Sequence, residues 1–146
     1  MSGGYAVGVP LLRTRFAAQW ATLRPQVPVL MPNSDRSFDG TVFEVPHAVP
    51  HARLSFLSDA PTEAIAAGAE SPARLYGRVL LEIFVPTLAG DLIGYQIADS
   101  FATIWEGQPV AGFLFGKTQV IPTGRVSDDP SRWKYDAMTP FEYEFS

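Results

Sequence analysis

The chain has 146 residues, of which 47% are hydrophobic and 18% are charged, which suits one globular domain and does not fit a disordered chain. It contains no cysteine, which excludes disulfides, zinc–thiolate sites, iron–sulfur clusters and thiol nucleophiles. The formal net charge of -4 lacks the basic surplus of a dedicated duplex or RNA binder, and suits a surface that nucleic acid passes without binding.

Membrane and secretion signals are the next features to consider. No apolar run reaches the ~18 residues of a membrane span. The N-terminus lacks the basic start and apolar core of a signal peptide. We therefore expect a soluble protein that contacts no membrane and is not secreted by the general route.

The first element in chain order is an amphipathic helix over residues 9–23, with Pro10 in its first turn and Pro25 after its end. Its apolar face comprises Leu12, Phe16, Trp20 and Leu23. Strand-like stretches follow at residues 27–31 and 41–45, and a strand is predicted at residues 52–58. Residues 59–74 then have the composition of a long, mobile loop.

The strongest strand pattern covers residues 75–85. One face carries Leu75, Val79, Leu81, Ile83 and Val85; the other carries Tyr76, Arg78, Leu80, Glu82 and Phe84. A second helix is predicted from a cap at Asp91 to Trp105, and Gly107 is its stop signal. Its apolar face comprises Ile93, Ile97, Phe101 and Ile104.

The C-terminal third is predicted to be β, with short strands at residues 113–115 and 118–121 and a polar turn at residues 126–131. From Trp133 onward, apolar and charged residues alternate, and Pro140 suggests an edge strand. The order is α-β-β-β-α-β-β-β. It predicts a single α+β domain over residues 1–146, in two layers, with a mixed or mostly antiparallel sheet and two helices packed on one face.

At this point the pattern resembles the tail terminator family of long-tailed phages and related gene-transfer particles. The ordered set of matching motifs spans nearly the whole chain. It comprises the N-terminal helix, Met31-Pro32-Asn33 followed by Phe38, Gly77 in a strand that ends in Phe84-Val85-Pro86, then Ala98-Asp99 and Trp105 in the second helix.

The resemblance implies a structural protein of the virion and not an enzyme, with no catalytic residues and no cofactor. Family members form a hexameric ring at the head-proximal end of the tail tube, which stops tube growth and provides the junction to the head. The implied partners are other copies of the chain, the tail tube protein and the connector or neck proteins, while DNA passes through the ring without specific binding. The implied location is the virion tail, after assembly in the host cytoplasm.

The even-numbered face of the strongest strand leads to the same expectation on physical grounds. Tyr76, Leu80 and Phe84 are too many large apolar side chains for a sheet face in water. Arg78 and Glu82 lie on that face about 13 Å apart, so each needs an opposite charge on a neighbour. A subunit interface would cover this face; a local cover by the N-terminal segment or the proline-rich stretch is the alternative.

The predicted loop has two interpretations. Asp59, Glu63, Glu70 and Arg74 would face the ring lumen or the tube, where the three acidic residues would repel passing DNA, or they belong to an ordinary surface connection. The alternative functions are another head–tail connector or minor tail protein and, in a different class, a small ligand-binding domain or enzyme.

Catalytic and metal patterns are weak. His47 and His51 are four apart, but the flanking prolines prevent a regular helix and hence a helical metal site. Asp128-Asp129 reads as a polar turn. Glu142 and Glu144 share a strand face at the ~7 Å spacing of paired carboxylates, which a solvated face also explains. Nucleophile-elbow and phosphate-loop motifs are missing from the sequence.

Overall fold

The structure, a computed structural model, describes residues 4–46, 48–64, 73–107, 109–127 and 129–145. In this part of the chain, helices and strands follow one another in the predicted order α-β-β-β-α-β-β-β. They are α1 (Gly4–Leu23), β1 (Val29–Leu30), β2 (His51–Ala64), β3 (Ala73–Pro86), α2 (Leu92–Trp105), β4 (Phe113–Phe115), β5 (Gln119–Val126) and β6 (Asp129–Phe145), with a short 3-10 turn at Thr87–Ala89.

The strands form one mixed sheet in the order β1-β2-β3-β6-β4, and β5 also pairs with β6 on the side of β4. β1 runs parallel to β2, and the other pairings are antiparallel. The long strands β3 and β6 therefore form the centre of the sheet. This architecture confirms the predicted α+β class.

Both helices lie on the face that β3 lines with its odd-numbered residues. A Cβ atom at Gly8 of α1 would lie 2.9 Å from the Tyr143 ring, and one at Gly94 of α2 would lie 2.6 Å from the Tyr135 ring. Each helix thus approaches β6 closely at a glycine. The fully buried core between the layers includes Leu12, Phe16, Trp20, Val79, Leu81, Ile83, Ile97, Phe101, Ile104 and Trp105. The predicted apolar faces of both helices and of β3 are confirmed.

The start of α1 differs from the prediction. The helix begins at Gly4, so Pro10 lies inside it and not in its first turn. The missing proline N–H costs one helical hydrogen bond. Contacts of Gly8 with the Tyr143 and Phe113 rings hold this first part of the helix against the sheet. Neither described helix is long and apolar enough to span a membrane.

The prediction of a loop over residues 59–74 is wrong at both ends of that range. β2 continues to Ala64 and β3 begins at Ala73, with Glu63 opposite Arg74 in the register. Shifts in the register between Ser58 and Glu63 absorb the extra residues of β2. The alanine- and proline-rich composition hid a strand because pairing with β3, and not local propensity, extends it. Residues 65–72 lie outside the described part of the chain.

The last strand is longer and more central than predicted. β6 begins at Asp129, inside the expected polar turn, and it pairs with β3 on one side and with β4 and β5 on the other. Pro140 is therefore not on an edge strand. Its carbonyl accepts a 2.8 Å hydrogen bond from Gly116, so its nitrogen faces the break between β4 and β5, where a missing N–H disturbs no ladder.

Two smaller expectations also fail. Residues 41–45 form no regular strand and contribute a single bridge, between Arg36 and Val42. Asp91 is at the predicted N-cap position, directly before α2, but its side chain makes no capping hydrogen bond.

Candidate interaction surface

The sheet face opposite the helices carries the residues singled out from the sequence. We call it the outer face, and it consists of alternate residues from β2, β3, β6 and β5. The pairing register arranges these residues in rows across the strands. The central row contains Ser55, Leu80, Met138 and Gln119, and the adjoining row contains Arg53, Glu82, Asp136 and Ile121.

The five predicted interface residues all lie on this face but differ in their surroundings. Tyr76, Arg78, Leu80 and Phe84 are half-buried, whereas Glu82 is buried. The structure therefore separates an interior charged group from more accessible side chains. The alternation in the sequence assigns all five residues to one face and does not distinguish their burial.

Glu82 is neutralised within the chain. Its carboxylate accepts hydrogen bonds from Arg53 Nε at 2.8 Å, and Lys134 Nζ lies 2.7 Å away. Burial opposes ionisation of Glu82, but these hydrogen bonds outweigh it and hold the pKa of the carboxyl below its usual value. Lys134 also lies 3.4 Å from Asp136 Oδ1. The predicted opposite charge for Glu82 thus comes from neighbouring strands of the same chain.

Phe84 is covered at one end of the face by a local segment. The His51 ring stacks on the Phe84 ring with centroids 4.8 Å apart, and Phe43 contacts the His51 ring from residues 43–46, which we call the strap. Arg132 donates from Nη2 to the carbonyl of Pro46 and so holds the strap in place. Phe84 is therefore partly covered within the chain, by the His51 ring on which the strap packs.

His51 is the most strongly shifted titratable group of the outer face. Burial, followed by the positive charge of Arg132, lowers the pKa of its imidazole to about 4. Its Nδ1 lies 3.4 Å from Nη1 of Arg132, which fits a neutral ring that accepts a hydrogen bond there. The ring is therefore uncharged at neutral pH.

The middle of the outer face exposes apolar side chains. Leu80 and Met138 are half-buried, and Ile121 is 44% exposed. Leu80 and Met138 pair in the central row, whereas Ile121 lies in the adjoining row, opposite Asp136; we call these three residues together the apolar row. Arg78 extends beside it, with Nη1 3.5 Å from the Met138 sulfur. Further along, a hollow of about 420 Å³ lies between Tyr76 and Leu114, and Leu114 is 70% exposed.

The charged residues predicted for the loop are only partly described. The backbone of Asp59 and Glu63 belongs to β2, whereas their side chains and the whole of Glu70 lie outside the described part of the structure. Arg74 is at the start of β3 and pairs with Glu144 at 3.2 Å. The orientation of these four residues toward a lumen or a tube therefore stays a prediction.

The sequence interpretation missed the contributions of the other strands. Arg53, Lys134, Met138 and Ile121 join the outer face because of strand pairing, and no local pattern marks them. The sequence signal that could have placed residues of β6 on the outer face is strand parity, since Lys134 and Asp136 alternate with the buried Tyr135 and Ala137. Parity assigns residues to a face, but only the register brings particular residues together.

The chemical candidates do not assemble into a centre within the described residues. No group of three or more His, Asp or Glu side chains is placed there to hold a metal ion. Asp129 pairs with Arg132 at 3.2 Å, and Glu144 pairs with Arg74. His47 lies outside the described part of the chain.

Comparison with known proteins supports the fold alone. No family model matches the chain, and no curated protein matches its sequence. Among 14 matching solved chains, one without a functional description has 17% sequence identity and a TM-score of 0.59. The alignment covers 96% of this chain and 98% of that one. The described architecture is therefore shared over nearly its full length with a known structure.

Proposed function

We propose that the protein is a structural subunit that assembles into a ring, and that the ring is a phage-type tail terminator. The observation that carries the proposal is the apolar row on the outer face of a sheet whose other face packs against both helices. A sheet face exposed to water normally carries polar residues. Leu80 and Met138 instead pair with each other at its centre, and the exposed Ile121 lies two residues along β5 from Gln119, the partner of Met138.

The proposed interface is narrower than the even-numbered face of β3. Glu82 and Phe84 are accounted for inside the chain, so the interface centres on Leu80 and extends toward Tyr76. Fully burying an exposed side chain of this size contributes roughly 1.5–3 kcal/mol before the costs of association, and the half-buried Tyr76, Leu80 and Met138 contribute only part of that. Several such side chains together contribute to the free energy of association. In a ring, every subunit makes the same contact with its neighbours.

The motif resemblance supplies the particular assignment. It supports a hexameric ring at the head-proximal end of the tail tube, with tube and neck proteins as partners and DNA passing through. A head–tail connector or a minor tail subunit is the alternative within the same class. Cryo-microscopy of the particle distinguishes these: density for this chain at the head-proximal end of the tube supports a terminator, and density elsewhere contradicts it.

A ligand-binding domain is the second candidate because of one cleft on the helical side. It has a volume of about 440 Å³ and lies between the start of α2 and the ends of β5 and β6. Three aromatic side chains line it, those of Tyr95, Trp133 and Tyr135, together with Asp91 and Arg125. Saturable binding of a small aromatic compound that is lost in Trp133→Ala, with no self-association at any concentration, would favour this candidate.

The direct test of the ring interface is Leu80→Glu. A carboxylate in the centre of the apolar row must lose its water when a neighbour docks, so self-association should fall by at least roughly tenfold while the monomer folds normally. Light scattering measures the assembly, and circular dichroism checks the fold.

Leu92→Glu is the matched control for this test. Leu92 is 66% exposed at the start of α2, on the helical side of the molecule. The same change of charge and size there should leave assembly unaffected. Equal assembly of the Leu80 variant and wild type would remove the apolar row as the interface.

A further inference from the structure

The exposed side of α1 carries no charged residue. Within residues 7–23, whose side chains the structure describes, the exposed positions are Val7, Pro10, Leu11, Thr14, Ala18, Ala21 and Thr22. A surface helix of a globular protein normally carries charged and polar residues opposite its buried face. We call these seven residues the α1 face. Its composition suits contact with another protein surface rather than with water.

A second exposed apolar surface lies at one end of the outer face. Leu114 of β4 lies between two hollows, of about 420 Å³ and about 370 Å³. The described lining of the first includes Tyr76 and Pro140, and that of the second includes Glu142 and Glu144. We call Leu114 and the two hollows the Leu114 site. Through Tyr76 it continues the interface proposed around Leu80.

The α1 face and the Leu114 site lie on opposite sides of the same strands. Gly8 of α1 lies against the rings of Phe113 and Tyr143, so the first part of α1 covers the inner side of β4 and of the end of β6. Leu114 and Glu142 belong to these two strands and point to the outer side. Successive copies can therefore stack with α1 of one copy on the outer face of the next.

The charged residues of α1 border the α1 face. They are Arg13 and Arg15, both half-buried, and the helix contains no carboxylate. With 3.6 residues per turn, the two arginines lie at opposite edges of the α1 face. Arg15 donates from Nε to the carbonyl of Ile104, whereas Arg13 forms no ion pair with the described residues. The α1 face thus has an uncharged centre and basic borders.

The Leu114 site carries the complementary charge. Its described lining holds two carboxylates, Glu142 and Glu144, and one guanidinium, that of Arg74. Arg74 pairs with Glu144, which leaves Glu142 without an ion pair among the described residues. Arg78 extends beside the apolar row and is not part of the described lining of either hollow. Arg13 of one copy is therefore a suitable partner for Glu142 of another, and such a pair favours one orientation.

We propose that α1 of one copy covers the outer face of the next copy, with the α1 face packed over the Leu114 site. The inference rests on the proposed ring and identifies the second half of its interface. α1 has 20 residues and is about 30 Å long, whereas Tyr76 and Leu80 are about 13 Å apart along β3. One helix therefore spans the Leu114 site and the apolar row. A contact between unlike surfaces is heterologous, and it closes into a ring when the rotation between copies fits.

Mixing two variants tests whether the contact joins unlike surfaces. Leu11→Glu and Leu114→Glu each place a carboxylate on one side of the contact, so each variant alone should lose self-association by at least roughly tenfold. An equimolar mixture should form a dimer, because one variant keeps an intact α1 face and the other an intact Leu114 site. This dimer cannot grow, since its free surfaces are the altered ones. Native mass measurement detects it, and circular dichroism checks the fold.

Thr14→Glu is a second variant of the α1 face, at an exposed position where glutamate favours the helix more than threonine does. It should behave as Leu11→Glu does, alone and in the mixture. Normal assembly of both α1 variants, or blocked assembly of the single variants without a dimer in the mixtures, would overturn the proposal.

Disulfide trapping tests the same contact directly, because the chain has no cysteine of its own. Leu11→Cys mixed with Leu114→Cys should form a disulfide between copies under mild oxidation, since the two positions come close in the contact. Leu92→Cys mixed with Leu114→Cys is the matched control and should not link, because Leu92 is exposed on α2 and outside the contact. Equal linking in both mixtures would contradict the proposal.

Failure of the ring itself has a different result. A wild-type protein that is monomeric at all concentrations and gives no disulfide in either mixture would contradict both the ring and the α1 contact. Loss of assembly in Leu80→Glu, with normal assembly in Leu11→Glu and Thr14→Glu, would keep the outer face as the ring interface and remove α1 as its partner. Leu114→Cys that links only to itself would show that two outer faces meet each other.

Discussion

His51 combines burial, aromatic stacking and a neighbouring positive charge in one side chain. It lies between Phe43 and Phe84 and beside Arg132, which explains why its imidazole is neutral. The same residue is one of two histidines that a sequence interpretation considers for metal binding. The structure instead makes it part of the contact that holds the strap on the sheet.

The shifted pKa of His51 has a consequence for stability. Its pKa is about 4 in the folded chain and 6.5 in the reference state, so the unfolded chain binds the proton first as the pH falls. The free energy of unfolding should therefore decrease as the pH falls from about 6.5 to about 4, by at most roughly 3 kcal/mol. Urea unfolding at a series of pH values measures the decrease.

His51→Gln is the comparison for that measurement. Glutamine retains an acceptor for Arg132 but does not titrate, so the dependence between about pH 6.5 and pH 4 should become flatter. Protonation of carboxylates, such as Glu82 with its lowered pKa, also reduces the free energy of unfolding, but at lower pH. That reduction should persist in the variant. An unchanged profile in His51→Gln would contradict the assignment.

At the scale of elements, the sequence predicted what local periodicity determines. The apolar faces of α1, α2 and β3 are confirmed, because a buried face imposes its spacing on the sequence. The length of β2 and the central place of β6 were missed, because both depend on which strand pairs with which. Pro140 shows the difference: proline usually indicates an edge, but here it faces the break between β4 and β5.

The predicted interface shows the same limit. Strand parity correctly placed Leu80 on the outer face. It could not show that Glu82 is paired with Arg53 and Lys134, since these residues are distant in sequence and adjacent only in the sheet. The accessible part of the candidate surface therefore became known only from the register.

Gly77 gives a prediction at the same scale. It lies in β3, where a Cβ atom would be 2.5 Å from the Leu57 carbonyl oxygen and 2.6 Å from the Phe141 ring. A backbone oxygen in a paired strand cannot move away easily, so Gly77→Ala should reduce the free energy of unfolding by about 1–3 kcal/mol. Chemical denaturation measures this reduction. A variant as stable as wild type would show that β2 and β3 are not in this close contact.

At the scale of the whole molecule, the two faces of the sheet have different roles. The helical face supplies the core, in which large side chains such as Trp20 and Trp105 are fully buried. The outer face supplies the apolar row, beside the cluster in which Arg53 and Lys134 pair with Glu82. This arrangement suits a contact that a second copy of the chain covers.

The central claim is that this chain acts by forming a ring. Native mass measurement of the purified protein, alone and with tail tube protein, tests the claim most directly. We predict a closed oligomer, with six copies as the expected number, and a loss of that oligomer in Leu80→Glu but not in Leu92→Glu. A monomeric mass at all concentrations, with and without tube protein, would contradict the claim.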